Sequence, residues 1–429
     1  MEARLLCVGD MHLGRRPGCL PLELAERGLS PAELTPAAAW RLCVRAAIER
    51  KVDAVLLLGD VVDSERDFFE ASGILERGVR ELVEAGIEVC AVAGNHDIEV
   101  LPRLADQVQG FHLLGRRGEW EERVLERGGK PLVRLVGWSF PAARVHESPL
   151  ARFALPRSPL PTLGMLHCDL EDRRSPYAPV ALAELERAPV DAWLLGHLHV
   201  PSIRPGGRPI GYLGSLVGLD PTERGPHGPW LLRAGGARGI EIEHLAVAPL
   251  RWEALDVQAS AIAGPEDLEA ALAAALRDLH GRLGAQAASA RAVGCRMRLV
   301  GRVRGHRELR RKLQEPLARA IQLDGTLYFV EGGVEDCAAE ELDLETLGRE
   351  SDPAGILARK LLVLRGPADS AERIELLAGA RRALEQEANQ GAWAALEPPR
   401  LDDERLAELL AQAGQTALEE LLAQRAGTA

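Results

Sequence analysis

The apolar runs in the first half of this chain repeatedly stop at short polar motifs, and that arrangement restricts the fold more than any other feature. Residues 5–8 run into Asp10-Met11-His12, 52–58 into Gly59-Asp60-Val61-Val62-Asp63, and 87–93 into Gly94-Asn95-His96-Asp97. Residues 161–166 lead to His167, and 190–195 to Gly196-His197-Leu198-His199. A nearly continuous apolar strand marks a sheet covered on both faces. Helices are expected between the early strands. One over about 37–50 opens on Thr35-Pro36 as cap and first position. Another over 67–85 has Leu75, Val79, Leu82 and Val83 on one face and Gly86 as its stop. Polar residues gathered at the carboxyl ends of such strands are where open α/β sheets place ligands. Further strands at 132–138, 209–215 and 228–232, with 240–245 alternating like an antiparallel edge, predict a second sheet packed on the first.

The polar motifs have the composition of a metal centre. Aspartate and asparagine oxygens with several imidazoles suit a pair of Mn, Fe or Zn ions and point to phosphoester hydrolysis. Asp10 and His12 stand two residues apart, so on an extended backbone both reach one ion. Asp60 follows a buried strand, where an isolated carboxylate is costly and one bridging two cations is not. Asp63 could cap the next helix or steady a ligand. Asn95 offers a neutral oxygen that adds no negative charge where a phosphate must bind. His96 is expected to project toward the substrate, with Asp97 orienting its ring. His167 alone is a weak signal, whereas His197 and His199 repeat the spacing of Asp10 and His12. Each motif taken singly also reads as an ordinary hydrogen-bonded turn. Five in order, all at strand ends, make coincidence a poor explanation.

At 429 residues the chain should hold two or three domains. There are four lysines against forty-eight arginines, a bias that looks genomic, so arginine abundance by itself is no nucleic-acid signal. The formal charge of -12 argues against a protein that coats DNA with its whole surface, and leaves room for a local basic groove. Seven cysteines without a Cys-x-x-Cys pair read as reduced, mostly buried thiols. The chain shows no leader-like start and no apolar run long enough to span a membrane, so the expected location is the cytoplasm.

Composition shifts near residue 250. A helix is expected at 265–283, a strand at 295–303, a helix at 308–320 and a strand at 326–330, forming a small β-α-β accessory unit. Arg296, Arg298, Arg302, Arg304, Arg307, Arg310 and Arg311 concentrate there with His306. They could follow a phosphate backbone or simply guard an exposed strand edge. Helical patterns follow at 370–388 and 402–425, where leucines without aromatic residues promise a poor independent core, suited to docking on a partner or to a packed bundle. The expected division is 1–250, catalytic; 251–335, accessory and DNA-facing; 336–429, helical and partner-docking.

Asp-x-His, Gly-Asp-x-x-Asp, Gly-Asn-His-Asp, His and Gly-His-x-His, in this order, resemble the calcineurin-like metallophosphoesterase superfamily. The resemblance implies an α/β fold with a four-layer α/β/β/α core. It implies one metal on Asp10, His12, Asp60 and His199, a second on Asp60, Asn95, His167 and His197, and His96 as the catalytic histidine. Within the superfamily the chain resembles the DNA-repair exonucleases of the SbcD type, especially their bacterial YhaO-like branch. The residues behind that likeness are His12-Leu13-Gly14, Tyr212-Leu213-Gly214-Ser215, and Glu223 with Gly225, Gly228 and Trp230-Leu231-Leu232. Val62 departs from a usually aromatic position, and His227 stands where Lys or Arg is common. The likeness implies two Mn²⁺ ions, DNA as substrate, a coiled-coil ATPase partner of the SbcC type and a homodimer. The competing expectations are a phosphatase or small-molecule phosphodiesterase of the same superfamily, and a scaffold without activity.

Overall fold

The computed structural model describes residues 2–63, 68–204, 207–235, 239–315, 320–388 and 401–427. Two compact units emerge. One comprises 1–257, 267–299 and 315–336, and the other 258–266, 300–314 and 337–429. The expected accessory stretch 251–335 is thus shared between the two units.

The first unit is built on two sheets. In one, β1 (Ala3–Val8), β2 (Ala54–Leu58), β3 (Glu88–Val92) and β4 (Phe111–Leu113) run parallel in sequence order. After the second sheet is complete the chain returns as β10 (Trp230–Ala234), antiparallel to β1, and β11 (Ile240–His244) closes that edge. The second sheet has the order β5 (Glu121–Arg127), β6 (Lys130–Trp138), β7 (Thr162–His167), β8 (Ala192–Gly196), β9 (Ile210–Tyr212). It is parallel except for β5.

Alternation along the strands sorts side chains into layers. Leu5, Cys7, Leu56 and Leu58 face Val133, Leu135, Met165 and Leu194 between the sheets. Leu6, Val8, Val55 and Leu57 face the other way, onto Trp40 and Val44 of the helix Pro36–Arg50 and Leu75 and Val79 of the helix Phe68–Glu84. Val136, Leu166 and Leu195 bury the outer face of the second sheet with Leu185 of the helix Leu182–Arg187. Helix, sheet, sheet and helix therefore stack as the expected four layers, and each central strand is apolar throughout because both its faces are covered.

A third sheet, in the order β12 (Leu250–Gln258), β13 (Ala292–Val303), β15 (Thr326–Glu340), β14 (Ala320–Leu323), replaces the simple β-α-β expectation. Its helix His306–Leu313 is present, but β12 joins the sheet and β15 runs on to Glu340. Part of the expected helix at 308–320 lies outside the described residues. Trp252 and Phe329 meet edge to face at 5.5 Å, above Gly294, where a Cβ would strike the Trp252 ring. Both rings belong to the same core cluster as Leu216, Val217 and Leu219, so this sheet completes the first unit's core.

In the second unit the helices Pro353–Arg365, Ala371–Ala388 and Asp403–Gly427 bury Ala358, Leu361, Leu364, Leu377, Leu406 and Leu418 together. The expectation of a poor core is corrected here. Small residues such as Gly414, set against Leu361, allow close helix approach without aromatic bulk. Among the described residues no helix is long and apolar enough to cross a membrane.

Candidate metal centre

The motifs converge where β1, β2, β3, β7 and β8 end. Asp10, His12 and His199 form one cluster, and Asp60, His167 and His197 a second; within each, the ligand atoms lie within 4.8 Å of one another. Asp10 and His167 are fully buried, and Asp60 and His12 nearly so. Asn95 joins the second cluster, with its Oδ1 3.2 Å from His167 Nε2. Asp60 reaches both, its Oδ2 lying 3.5 Å from His167 Nε2 and 4.0 Å from His12 Nε2.

Reaching these positions takes unusual backbone. His12, Asp60 and His197 have φ of 48°, 47° and 112°, a region that non-glycine residues rarely occupy and that persists where surrounding structure enforces it. Asp10 and His12 therefore meet through a left-handed turn, and not through the extended alternation expected from their spacing. His197 and His199 do not repeat that pair either, since they serve different clusters. Glycine makes the close approaches possible. A Cβ on Gly94 would strike the Asp60 carboxylate, and one on Gly196 would strike the Leu58 carbonyl.

Each imidazole meets a carboxylate or carbonyl oxygen through its far nitrogen. His12 Nδ1 lies 3.0 Å from Asp63 Oδ1, His199 Nδ1 2.6 Å from Glu223 Oε1, and His197 Nε2 3.3 Å from Asp169 Oδ1. His167 Nδ1 donates to the Leu58 carbonyl at 3.0 Å. Such contacts set the tautomer and leave the other nitrogen's lone pair for a cation. Asp63 thus faces a ligand ring, while the start of the helix that it could cap lies outside the described residues. Glu223, quoted above only for family likeness, gains a physical role, fixed in turn by the Leu219 N–H at 2.9 Å. Asp169 was missed; its only sequence signal was a carboxylate two residues beyond a strand-end histidine.

Asp97 does not orient His96. Its buried carboxylate accepts from the backbone N–H groups of Val61, Val62 and Gly94 and so ties two ligand-bearing loops together. The His96 Nδ1–H donates to the Asp63 carbonyl at 2.8 Å, its backbone N–H donates to Asp60 Oδ1 at 3.1 Å, and its ring is exposed beside His12. Val62, which departs from the usual aromatic, contributes its N–H to Asp97 and is buried. His227 is buried as well, between Ser215 and the Glu223 carbonyl, and is closed to any substrate.

The electrostatics fit a cation pair. Burial, reinforced by the charge of Asp60, pushes the Asp10 carboxyl up to about 8. Burial opposes ionisation of Asp60 too, but His167, His12 and His96 outweigh it and lower its pKa. Burial holds His167 down near 4, so its ring is the neutral form that binds metal. The His12 and His199 Nε2 atoms face each other at 2.9 Å, a spacing that suits two donors on one ion. Two sites for divalent ions are present.

Residues 3–201 match the family model for calcineurin-like phosphoesterases. That stretch, a little under half of the chain, is similar to the calcineurin-like phosphoesterases. The chain is 28% identical to the uncharacterized metallophosphoesterase YhaO of Bacillus subtilis over 228 residues, 51% of this chain and 55% of that protein. It is 27% identical to the DNA double-strand break repair protein Mre11 of Methanosarcina mazei over 259 residues, 57% of this chain and 38% of that protein. The chain thus spans about half the length of one of these curated relatives and less of the other. A dimetal phosphatase structure from Danio rerio overlaps 56% of this chain and 98% of its own at 16% identity, with a TM-score of 0.35. The two clusters and the family match over residues 3–201 fit metal-dependent phosphoester hydrolysis.

Proposed function

We propose that this phosphoesterase hydrolyses phosphodiester bonds in DNA, using two Mn²⁺ ions, and that it works as a homodimer with a coiled-coil ATPase partner. The observation behind the chemistry is the paired arrangement of Asp10, His12 and His199 beside Asp60, His167 and His197, with His96 outside both. DNA as substrate draws support from the likeness to the archaeal Mre11 and from the residues that extend past the matched domain. Bound there, a metal pair supplies a water of lowered pKa and neutralises the charge of the phosphate. Asp60 and Asp10 hold the buried negative charge that balances the ions, and Asn95 completes its side without adding to it. With Nδ1–H committed to the Asp63 carbonyl, His96 presents Nε2 as the atom that takes or gives a proton near the departing oxygen.

A small-diester reading is favoured by one observation. Arg298 is bound in a two-bonded pair with Asp256, and Arg304 faces Glu341 at 3.2 Å, so two arginines of the basic stretch are already paired with carboxylates. One experiment separates the readings: purified protein with Mn²⁺ against labelled linear duplex, single-stranded DNA and bis-p-nitrophenyl phosphate in parallel. Cleavage of DNA at rates well above the small diester supports the nuclease. Turnover of the small diester with intact DNA overturns it.

A further inference from the structure

The four imidazoles of the two clusters are steadied from different parts of the chain, and His197 alone relies on the loop that follows β7. Its Nε2 faces Asp169 Oδ1 at 3.3 Å. Tyr177, from the same loop, lays its ring against the imidazole at 5.2 Å with a 43° tilt. The loop is itself held in shape. Asp169 N–H donates to the Tyr177 carbonyl at 2.9 Å, and Val180 N–H to the Asp169 carbonyl at 2.8 Å. The Ser175 hydroxyl donates to the Asp169 carboxylate. From β9, the Tyr212 phenol accepts from Leu170 N–H at 2.6 Å and donates to the Cys168 carbonyl at 3.1 Å, so it clamps the backbone on both sides of Asp169.

His197 needs such support because its own backbone is strained, at φ 112°. Its N–H is spent on the Asp10 carboxylate, at 3.0 and 3.1 Å, and gives the ring no direction. Ring direction is left to Asp169. A carboxylate on Nε2 fixes the proton there and turns the Nδ1 lone pair to the cluster. The partner ligand His167 takes its support from the Leu58 carbonyl on a central strand and does not depend on this loop.

We infer that Asp169 is the positioning residue of the second metal, the one held by Asp60, His167 and His197, and that Ser175 and Tyr212 keep it aimed. This rests on the two-metal reading above. It adds that the two ions load unequally, the second being the one controlled by the loop after β7. Asp169 touches no reacting atom, so its removal should change metal occupancy before it changes chemistry.

The test is a stepwise Mn²⁺ titration of the full-length protein and of D169A, D169N and S175A. Calorimetry gives the two affinities, and electron paramagnetic resonance separates a lone ion from a coupled pair. In D169A the second affinity should fall about 10- to 100-fold, the usual cost of losing a group that orients a histidine ligand. The first affinity should stay within about twofold of the parent on the same scale. S175A should shift the second site in the same direction by less. D169N keeps an oxygen acceptor and should retain part of the lost affinity, and saturating Mn²⁺ should restore turnover in every variant. Unchanged second-site affinity in D169A overturns the assignment, as does equal loss at both sites or an Asn variant no better than Ala. Wild-type protein that binds two ions, with D169A binding both at unchanged affinities, refutes only this inference. Wild-type protein that binds none refutes the two-metal reading itself.

Discussion

The Nε2 atoms of His12 and His199 approach to 2.9 Å from strand ends far apart in the chain, each with its other nitrogen against a carboxylate, Asp63 for one and Glu223 for the other. Both rings turn their remaining lone pair into the same small space. Four predictions follow from this and neighbouring relationships.

Metal binding should release protons and strengthen as pH rises toward 8. Burial lifts the Asp10 carboxyl to about 8, so below that pH the metal-free protein holds a proton that the ion must displace. Burial alone would lower His199, but the Glu223 hydrogen bond and the charge of Asp10 outweigh it and raise its pKa, adding a second proton to displace. Affinity should gain about tenfold per pH unit for each proton released, and level off above the raised values. Calorimetry in buffers of different ionisation enthalpy counts those protons. A pH-independent affinity between 6 and 8 contradicts the expectation.

His96→Ala should lose about 10²- to 10⁴-fold in turnover while keeping both ions. The ring lies outside the two clusters, so metal analysis and kinetics on one preparation distinguish the roles. Normal metal content with unchanged kcat removes His96 from the chemical step.

Glu223→Ala should weaken the first site about 10- to 100-fold, since it frees the His199 ring. The Leu219 N–H also loses its acceptor, so some thermal destabilisation should accompany the change. Mn²⁺ titration read beside Tm separates the two effects.

Trp252→Ala should cost about 3–5 kcal/mol. The ring is fully buried, packs on Phe329 and donates Nε1–H to the Gly218 carbonyl at 3.0 Å. A chain cut near residue 250, which looks harmless if 1–250 is a complete unit, should for the same reason fold poorly. Denaturant melts of both proteins decide this, and a truncated chain as stable as the parent would show the third sheet to be dispensable.

Much of the centre was legible in the chain itself. A strand that is apolar on both faces has to stop where polar side chains begin, so the motifs marked strand ends before any fold was known. The residue types then declared their chemistry, and all seven expected ligands gather in one place. Local spacing misled where a left-handed turn replaced an extended one: His12 shares a cluster with Asp10 because of its positive φ, while the equally spaced His197 and His199 part company. What only the tertiary structure decided is the set of groups that steady those ligands. Asp63, Asp169 and Glu223 act through contacts across loops, and Asp97 turned out to serve backbone N–H groups instead of His96. A carboxylate's partner depends on which loops the packed sheets bring within about 3 Å. That distance belongs to the packing of the layers, and no local pattern of residues encodes it.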